Sequence, residues 1–156
     1  MIGGGASGVD NLGYTFGRPC VTTNLVPLEI ARFATSPSVV MPCLMRDEAT
    51  GRVLPLSEMA KFRFSSKQDF RSAGIGLIYN SADEVLQATL ETVNFSEVGM
   101  KEIVTGDNEM QRHFWEWARE CGFLDRPVPT SAESSDRFRS AVSQNFLEAH
   151  KEILFR

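Results

Sequence analysis

The sequence is poor in the residues that build metal and disulfide frameworks. It has only two histidines, His113 and His150, and three cysteines, Cys20, Cys43 and Cys121. The histidines stand far apart on separate helical patterns and the cysteines lack CxxC spacing, so no metal site is expected. An odd number of cysteines in apolar surroundings reads as buried, reduced thiols in the cytosol. Positive charge is also scarce: 16 Lys and Arg against 20 Asp and Glu leave a net charge of -4. General nucleic-acid binders carry a basic face, so that class is set aside. No apolar run reaches the length of a membrane span. The N-terminus has neither the basic region nor the long apolar core of a signal peptide. A cytoplasmic protein is expected.

What is present is ordinary for a globular chain: 42% hydrophobic and 23% charged residues over 156 positions. That length fits one domain, or most of one, and allows roughly 70% of the unfolded surface to be buried.

The first chemistry-bearing stretch is Ile2-Gly3-Gly4-Gly5-Ala6-Ser7-Gly8-Val9-Asp10-Asn11. It opens glycine-rich and runs into a helical pattern over 9–16, which Gly17 and Pro19 stop. A glycine turn at a helix N-terminus leaves backbone N–H groups unpaired under the positive end of the helix dipole. That is an anion site, with phosphate its usual guest. The spacing is not the dinucleotide fingerprint, and no Gly-Lys-Ser/Thr follows as in a P-loop. A tight strand-to-helix turn with no ligand has the same sequence.

Residues 20–26 read as a strand covered on both faces. Residues 39–45 are a second apolar run, 47–52 a turn and 53–56 its return, together a hairpin or a pair of extended arms. Ser57 is placed to cap a short helix through 62, and Ser66 one over 67–73 ended by Gly74. Residues 75–79 form a short strand. Ser81 with Glu84 makes a capping box for a helix whose face is Ala82, Val85, Leu86, Leu90 and Val93. A helix from about 105 carries the stripe Met110, Phe114, Trp117, Ala118 and Cys121 and ends at Gly122. Residues 125–135 are a loop or linker. A last helix is expected over 136–154 with Phe138, Val142, Phe146, Ala149 and Ile153 inward. Strands alternating with helices imply an α/β fold with a mostly parallel sheet, and C-terminal helices packed across it.

Several of these segments resemble a family of bacterial glycosyltransferases of the GT-B type, with a heptosyltransferase-like turn. The likeness lies in Ser7-Gly8-Val9-Asp10-Asn11-Leu12, then Phe16-Gly17-Arg18-Pro19, then Asn24-Leu25-Val26-Pro27-Leu28. It continues in the stretch from Phe70 to Asn80, in Glu109-Met110-Gln111-Arg112-His113-Phe114-Trp115 and in Gln144-Asn145-Phe146-Leu147. The family usually has an aspartate just before Ser-Gly; this chain has Ala6. The resemblance implies the C-terminal, donor-binding half of a Rossmann-like fold. Residues 1–122 would be the nucleotide-sugar domain lacking its first strands, 123–135 a linker, and 136–156 a helix packing back on it. The acceptor-binding N-terminal domain of a longer protein would supply any peripheral membrane association.

On that reading Gly5, Ser7, Gly8 and Val9 contact the donor pyrophosphate, where backbone donors stabilise the charge that grows on the leaving group. Ser7 also suits a plain helix cap. Asp10 and Asn11 are candidates for a ribose or sugar hydroxyl, although acidic first turns also simply complement the dipole. Arg18 is a candidate for phosphate, against a solvated turn residue. Asn24, at the C-terminal end of its strand, is a candidate for the donor sugar or base. The expected partners are a nucleotide-sugar donor and a glycan or glycolipid acceptor. No cofactor is expected, and the Asp-x-Asp of a metal-dependent donor site does not occur. No catalytic base is identified. Two rival readings keep the fold: a nucleotide-sugar 2-epimerase, which usually has Ser-Gly-Gly followed by glutamates, and a non-catalytic nucleotide-binding or structural domain, which Ala6 favours.

Overall fold

The segment Cys20-Val21-Thr22-Thr23-Asn24-Leu25 is the strand from which the rest of the architecture is laid out. In the computed structural model, residues 2–4, 13, 16, 18–28, 38–63, 66–98, 109–121 and 141–156 are described. They form a mixed α/β structure. Strands β1 (Ile2–Gly4), β2 (Cys20–Leu25), β3 (Ser38–Pro42) and β6 (Ala141–Val142) make one sheet in the order β1-β2-β3-β6, and every pairing in it is parallel. Val39, Val40 and Met41 are wholly buried, as a strand covered on both faces requires. Each such side chain contributes roughly 1.5–3 kcal/mol by leaving water.

The apolar run over 39–45 is not one arm of a hairpin. It breaks at Cys43, where the chain leaves the parallel sheet and enters a second, two-stranded one. There β4 (Leu44–Asp47) pairs antiparallel with β5 (Ile75–Ile78). The expected turn is present: the Asp47 carboxylate accepts the N–H groups of Ala49 and Thr50, and Gly51 takes φ 71°. The return strand is only a bridge of Arg46 to Val53. An unbroken apolar run carries no mark of which sheet each half joins. That is why the sequence did not show the split.

Helix α1 (Leu56–Met59) starts from Pro55, not from Ser57, which is exposed within it. Pro55 is the cap residue with an extended backbone, φ -70° and ψ 164°, and its missing N–H breaks no helical bond there. Helix α2 (Lys67–Ser72) is capped by Ser66, whose hydroxyl accepts the Asp69 N–H at 3.2 Å, and Gly74 exits at φ 73°. Arg18 donates its N–H to the Gly13 carbonyl at 2.9 Å. Most of the helix expected over 9–16 lies outside the described residues, as do 105–108, Gly122 and the linker 125–135.

Helix α3 (Ala82–Val98) lies across β2 and β3. Its capping box is formed: Glu84 accepts from the Ser81 N–H at 2.6 Å and the Ser81 hydroxyl accepts the Glu84 N–H at 3.3 Å. The buried face is not the one the apolar spacing indicated. Ala88, Glu91 and Thr92 are buried and Val85 is partly so, whereas Leu86, Leu90 and Val93 stay 53%, 49% and 52% exposed. Two features select this rotation. Ala88 lets the helix lie close to the sheet, and Glu91 is needed inside. Thr92 can be buried because its hydroxyl donates to the Ala88 carbonyl at 2.8 Å.

Helix α4 (Glu109–Glu120) keeps the expected stripe: Phe114 and Ala118 are buried, and Met110, Trp117 and Cys121 pack against the core. Gln111 and Trp115 are buried as well. The last helix begins later than expected. Ala141 and Val142 are strand β6, Ser143 is the cap, and α5 runs Gln144–Leu154 with Phe146, Leu147 and Leu154 buried. Ala149 is exposed and Ile153 only half-buried. Buried Gln111 supplies the pairing that this short strand needs: its amide accepts the Val142 N–H at 3.1 Å and donates to the Val142 carbonyl.

Candidate functional site

In a parallel sheet with helical crossovers, ligands gather at the C-terminal ends of the strands. Strand β1 ends at Gly4, in register with Thr23 of β2. The last described residue of β1 thus stands level with the residue before Asn24. Gly5, Ser7, Gly8, Val9, Asp10 and Asn11 lie outside the described residues.

Asn24 sits in a bulge. Thr22 pairs with Val40 and Leu25 with Pro42, so β2 carries one residue more than β3 between those points. The extra residue is accommodated by Asn24 at φ 53°, a conformation that asparagine tolerates better than most side chains. Its partner is Asn80, 56 positions along the chain. Asn24 N–H donates to Asn80 Oδ1 and Asn80 N–H donates to Asn24 Oδ1, both at 2.6 Å. Asn80 Nδ2 then donates to the Pro42 carbonyl at 3.0 Å, and Asn24 Nδ2 to Thr23 Oγ1 at 3.3 Å. One residue pair thus ties together the ends of β2, β3 and β5. The chemistry left to Asn24 is one lone pair of Oδ1 and one N–H. Its main task here is to hold the edge in shape.

Arg18 is exposed and precedes β2 at the opposite edge of the sheet. Six residue steps of extended chain separate it from Asn24, roughly 20 Å. The structure does not bring these two residues together.

Asn80 was not singled out from sequence as a site residue. The available signal was its position, a polar residue between a strand and a capped helix, the same logic that marked Asn24. Glu91 also went unnoticed because it reads as surface charge. It is 9% exposed and accepts four donors: Ser143 Oγ at 3.1 Å, Gln144 N at 3.0 Å, Asn145 N at 2.9 Å and Asn145 Nδ2 at 2.5 Å. Such a carboxylate is a helix cap for α5, and its oxygens are occupied.

A second polar group joins α3 to α5. Glu84 Oε1 lies 2.7 Å from His150 Nε2, while Glu84 Oε2 accepts the Ser81 hydroxyl at 2.8 Å. Partial burial pushes the Glu84 carboxyl up, but the bonds from His150 and Ser81 outweigh it and hold it below the usual range. Serine, carboxylate and histidine occur here in the wrong order for nucleophilic catalysis. The imidazole does not touch the hydroxyl, so it activates no nucleophile. His113 is exposed and stacks on Phe155 at 4.6 Å, a packing role.

Cys43 is buried and donates to the Ile78 carbonyl at 3.1 Å; burial pushes its thiol up to about 12. It is a packed residue and not a reactive one. Among the described residues all three cysteines are free, and no group of three or more His, Cys, Asp or Glu is placed to hold a metal. Among them, too, no helix is long and apolar enough to cross a membrane. No protein-family model, curated protein or solved structure matches this chain.

Proposed function

We propose that the chain is the donor-binding portion of a glycosyltransferase, and that the parallel strands belong to the C-terminal, Rossmann-like half of a GT-B fold. The sugar would pass from a nucleotide-diphosphate sugar to a glycan or glycolipid acceptor. The observation that carries this reading is the position of the glycine-rich segment. Its first glycines are the end of β1 in a parallel sheet, level with Thr23, and the next residue of β2 is tied into a fixed lattice of strand ends. Unpaired N–H groups in such a segment meet a pyrophosphate without reorganising, and their stabilisation grows as charge develops on the leaving group.

The test is a thermal-shift titration with UDP-, GDP-, ADP- and CMP-sugars. A nucleotide sugar at about 100 times its dissociation constant stabilises the folded state by roughly 2.7 kcal/mol. One nucleotide is expected to shift the melt, and Gly8→Asp to abolish the shift by placing a carboxylate where phosphate must come. A cooperative melt that none of the four moves would sink the proposal. A second reading, nucleotide binding without turnover, is favoured by Ala6 in place of the aspartate. It predicts the same shift with no sugar transferred or hydrolysed by the full-length protein.

A further inference from the structure

Beside β5 lies a cleft of about 470 Å³, a volume typical of small-molecule sites. Gly74 to Leu77 line it, on a strand whose other edge has no partner strand among the described residues. One wall is α2, from which Lys67 and Arg71 project one turn apart on the same face. Neither cation has a carboxylate within ion-pair distance among the described residues; Lys67 lies 5.0 Å over the Tyr79 ring. Glu48 lines it as well, with its carboxylate over Gly76. A Cβ on Gly76 would stand 1.8 Å from Glu48 Oε1, so the missing side chain at Gly76 is what admits the carboxylate. Arg46 Nη2 holds that oxygen at 3.0 Å and leaves Glu48 Oε2 to accept from a guest. Tyr79, 49% exposed, lines it too.

We propose that this cleft binds an acidic saccharide, a uronate or a sugar phosphate. The acid group lies on Lys67 and Arg71, ring hydroxyls donate to Glu48 and bond the Gly74–Leu77 backbone, and the apolar ring face lies against Tyr79. Each element excludes a simpler guest. Inorganic phosphate would satisfy the cations but be repelled by Glu48. A neutral sugar leaves both cations unmatched. An acidic peptide strand would use the open edge but place its own carboxylates against Glu48. The inference stands on this cleft alone, whether or not the glycine-rich segment takes a nucleotide sugar.

The test is an amide-resolved NMR titration of the full chain with glucuronate, glucose 6-phosphate, glucose and inorganic phosphate, carried through the millimolar range. Glucuronate or glucose 6-phosphate is expected to shift the amides of Gly74, Gly76 and Leu77 saturably, and which of them binds tighter identifies the acid. Glucose and inorganic phosphate are expected to bind at least about tenfold more weakly. Lys67→Ala with Arg71→Ala removes two charge-assisted contacts from exposed positions and should weaken binding about tenfold or more without loss of fold. Gly76→Ala, which displaces Glu48, should weaken it too. The proposal is overturned if neither acidic sugar saturates the cleft, if inorganic phosphate binds as tightly, or if the double variant binds unchanged.

Discussion

Glu91→Ala tests both the cap on α5 and the rotation of α3. The carboxylate serves the hydroxyl of Ser143, the backbone N–H groups of Gln144 and Asn145 and the side chain of Asn145. The two backbone groups belong to the first turn of α5, where no intrahelical acceptor exists. Leaving each without its acceptor costs about 1 kcal/mol. Loss of the buried stem of Glu91 adds about 1 kcal/mol. The buried Ser143 hydroxyl, left unpaired, adds about 1 kcal/mol more, and exposed Asn145 turns its side chain to water, so the sum is about 4 kcal/mol. For a chain of this size that lowers Tm by about 8–16 °C. Glu91→Gln keeps the shape and one acceptor oxygen but presents an NH₂ group to a backbone donor, so about 1–2 kcal/mol is expected. The control is Leu90→Ala, one position away and 49% exposed, which should cost about 1 kcal/mol or less. Urea unfolding followed by circular dichroism measures all three, with an unchanged m-value showing that the denatured state is unaffected. If Leu90→Ala costs more than Glu91→Ala, α3 is turned the other way and the reasoning fails.

The remaining predictions concern smaller groups. Gln111→Ala leaves the buried N–H and C=O of Val142 without a partner and should cost about 2–4 kcal/mol in the same urea assay; a loss below about 0.5 kcal/mol would show that β6 does not depend on it. The folded-state pKa of Glu84 lies below its ordinary value near 4.5, so its stabilisation is complete above that value and is lost as pH falls through the folded one. Glu84→Gln should accordingly flatten the acid limb of the stability curve, and an identical limb in the variant would refute the assignment. Cys43, with its thiol pushed up to about 12, should resist iodoacetamide in the native chain at about pH 8 and react once urea unfolds it; rapid native labelling at Cys43 would contradict its burial. Asn80→Ala removes an acceptor from Asn24 N–H and a donor from the Pro42 carbonyl, and should lower stability by about 2 kcal/mol and weaken any nucleotide-sugar response with it.

Local signals were legible where the chemistry is local. Ser66 and Ser81 cap the helices they precede, Gly74 exits α2, and the α4 stripe faces the core, because each depends on residues within one or two turns. The mostly parallel character of the sheet was readable from strand and helix alternation, but strand β1 was not, because Ile2–Gly4 read only as the start of a glycine-rich turn. What stayed hidden was pairing at long range. Residues 39–45 are uniformly apolar, and nothing in them marks Cys43 as the point where one sheet ends and another begins. Val142 suits a helix face as well as a strand, and its assignment rests on Gln111, 31 positions earlier.

The candidate site shows the same division. Asn24 was legible as a polar residue at a strand end, but its task depends on Asn80, which the chain places 56 positions away. Without Asn80, Asn24 reads as a free ligand contact. With it, both amides are largely spent on fixing the ends of three strands. The misread face of α3 follows from the same cause. Hydrophobic spacing assumes that apolar residues compete for the interior, and Leu86, Leu90 and Val93 win that count. A buried carboxylate with four donors outweighs it, since turning Glu91 outward would strand the first turn of α5 along with the hydroxyl of Ser143. Polar groups thus decide the orientation of α3 and the shape of the sheet edge. A reading that credits only apolar periodicity will misplace such residues, because those polar pairs are made between segments far apart in sequence.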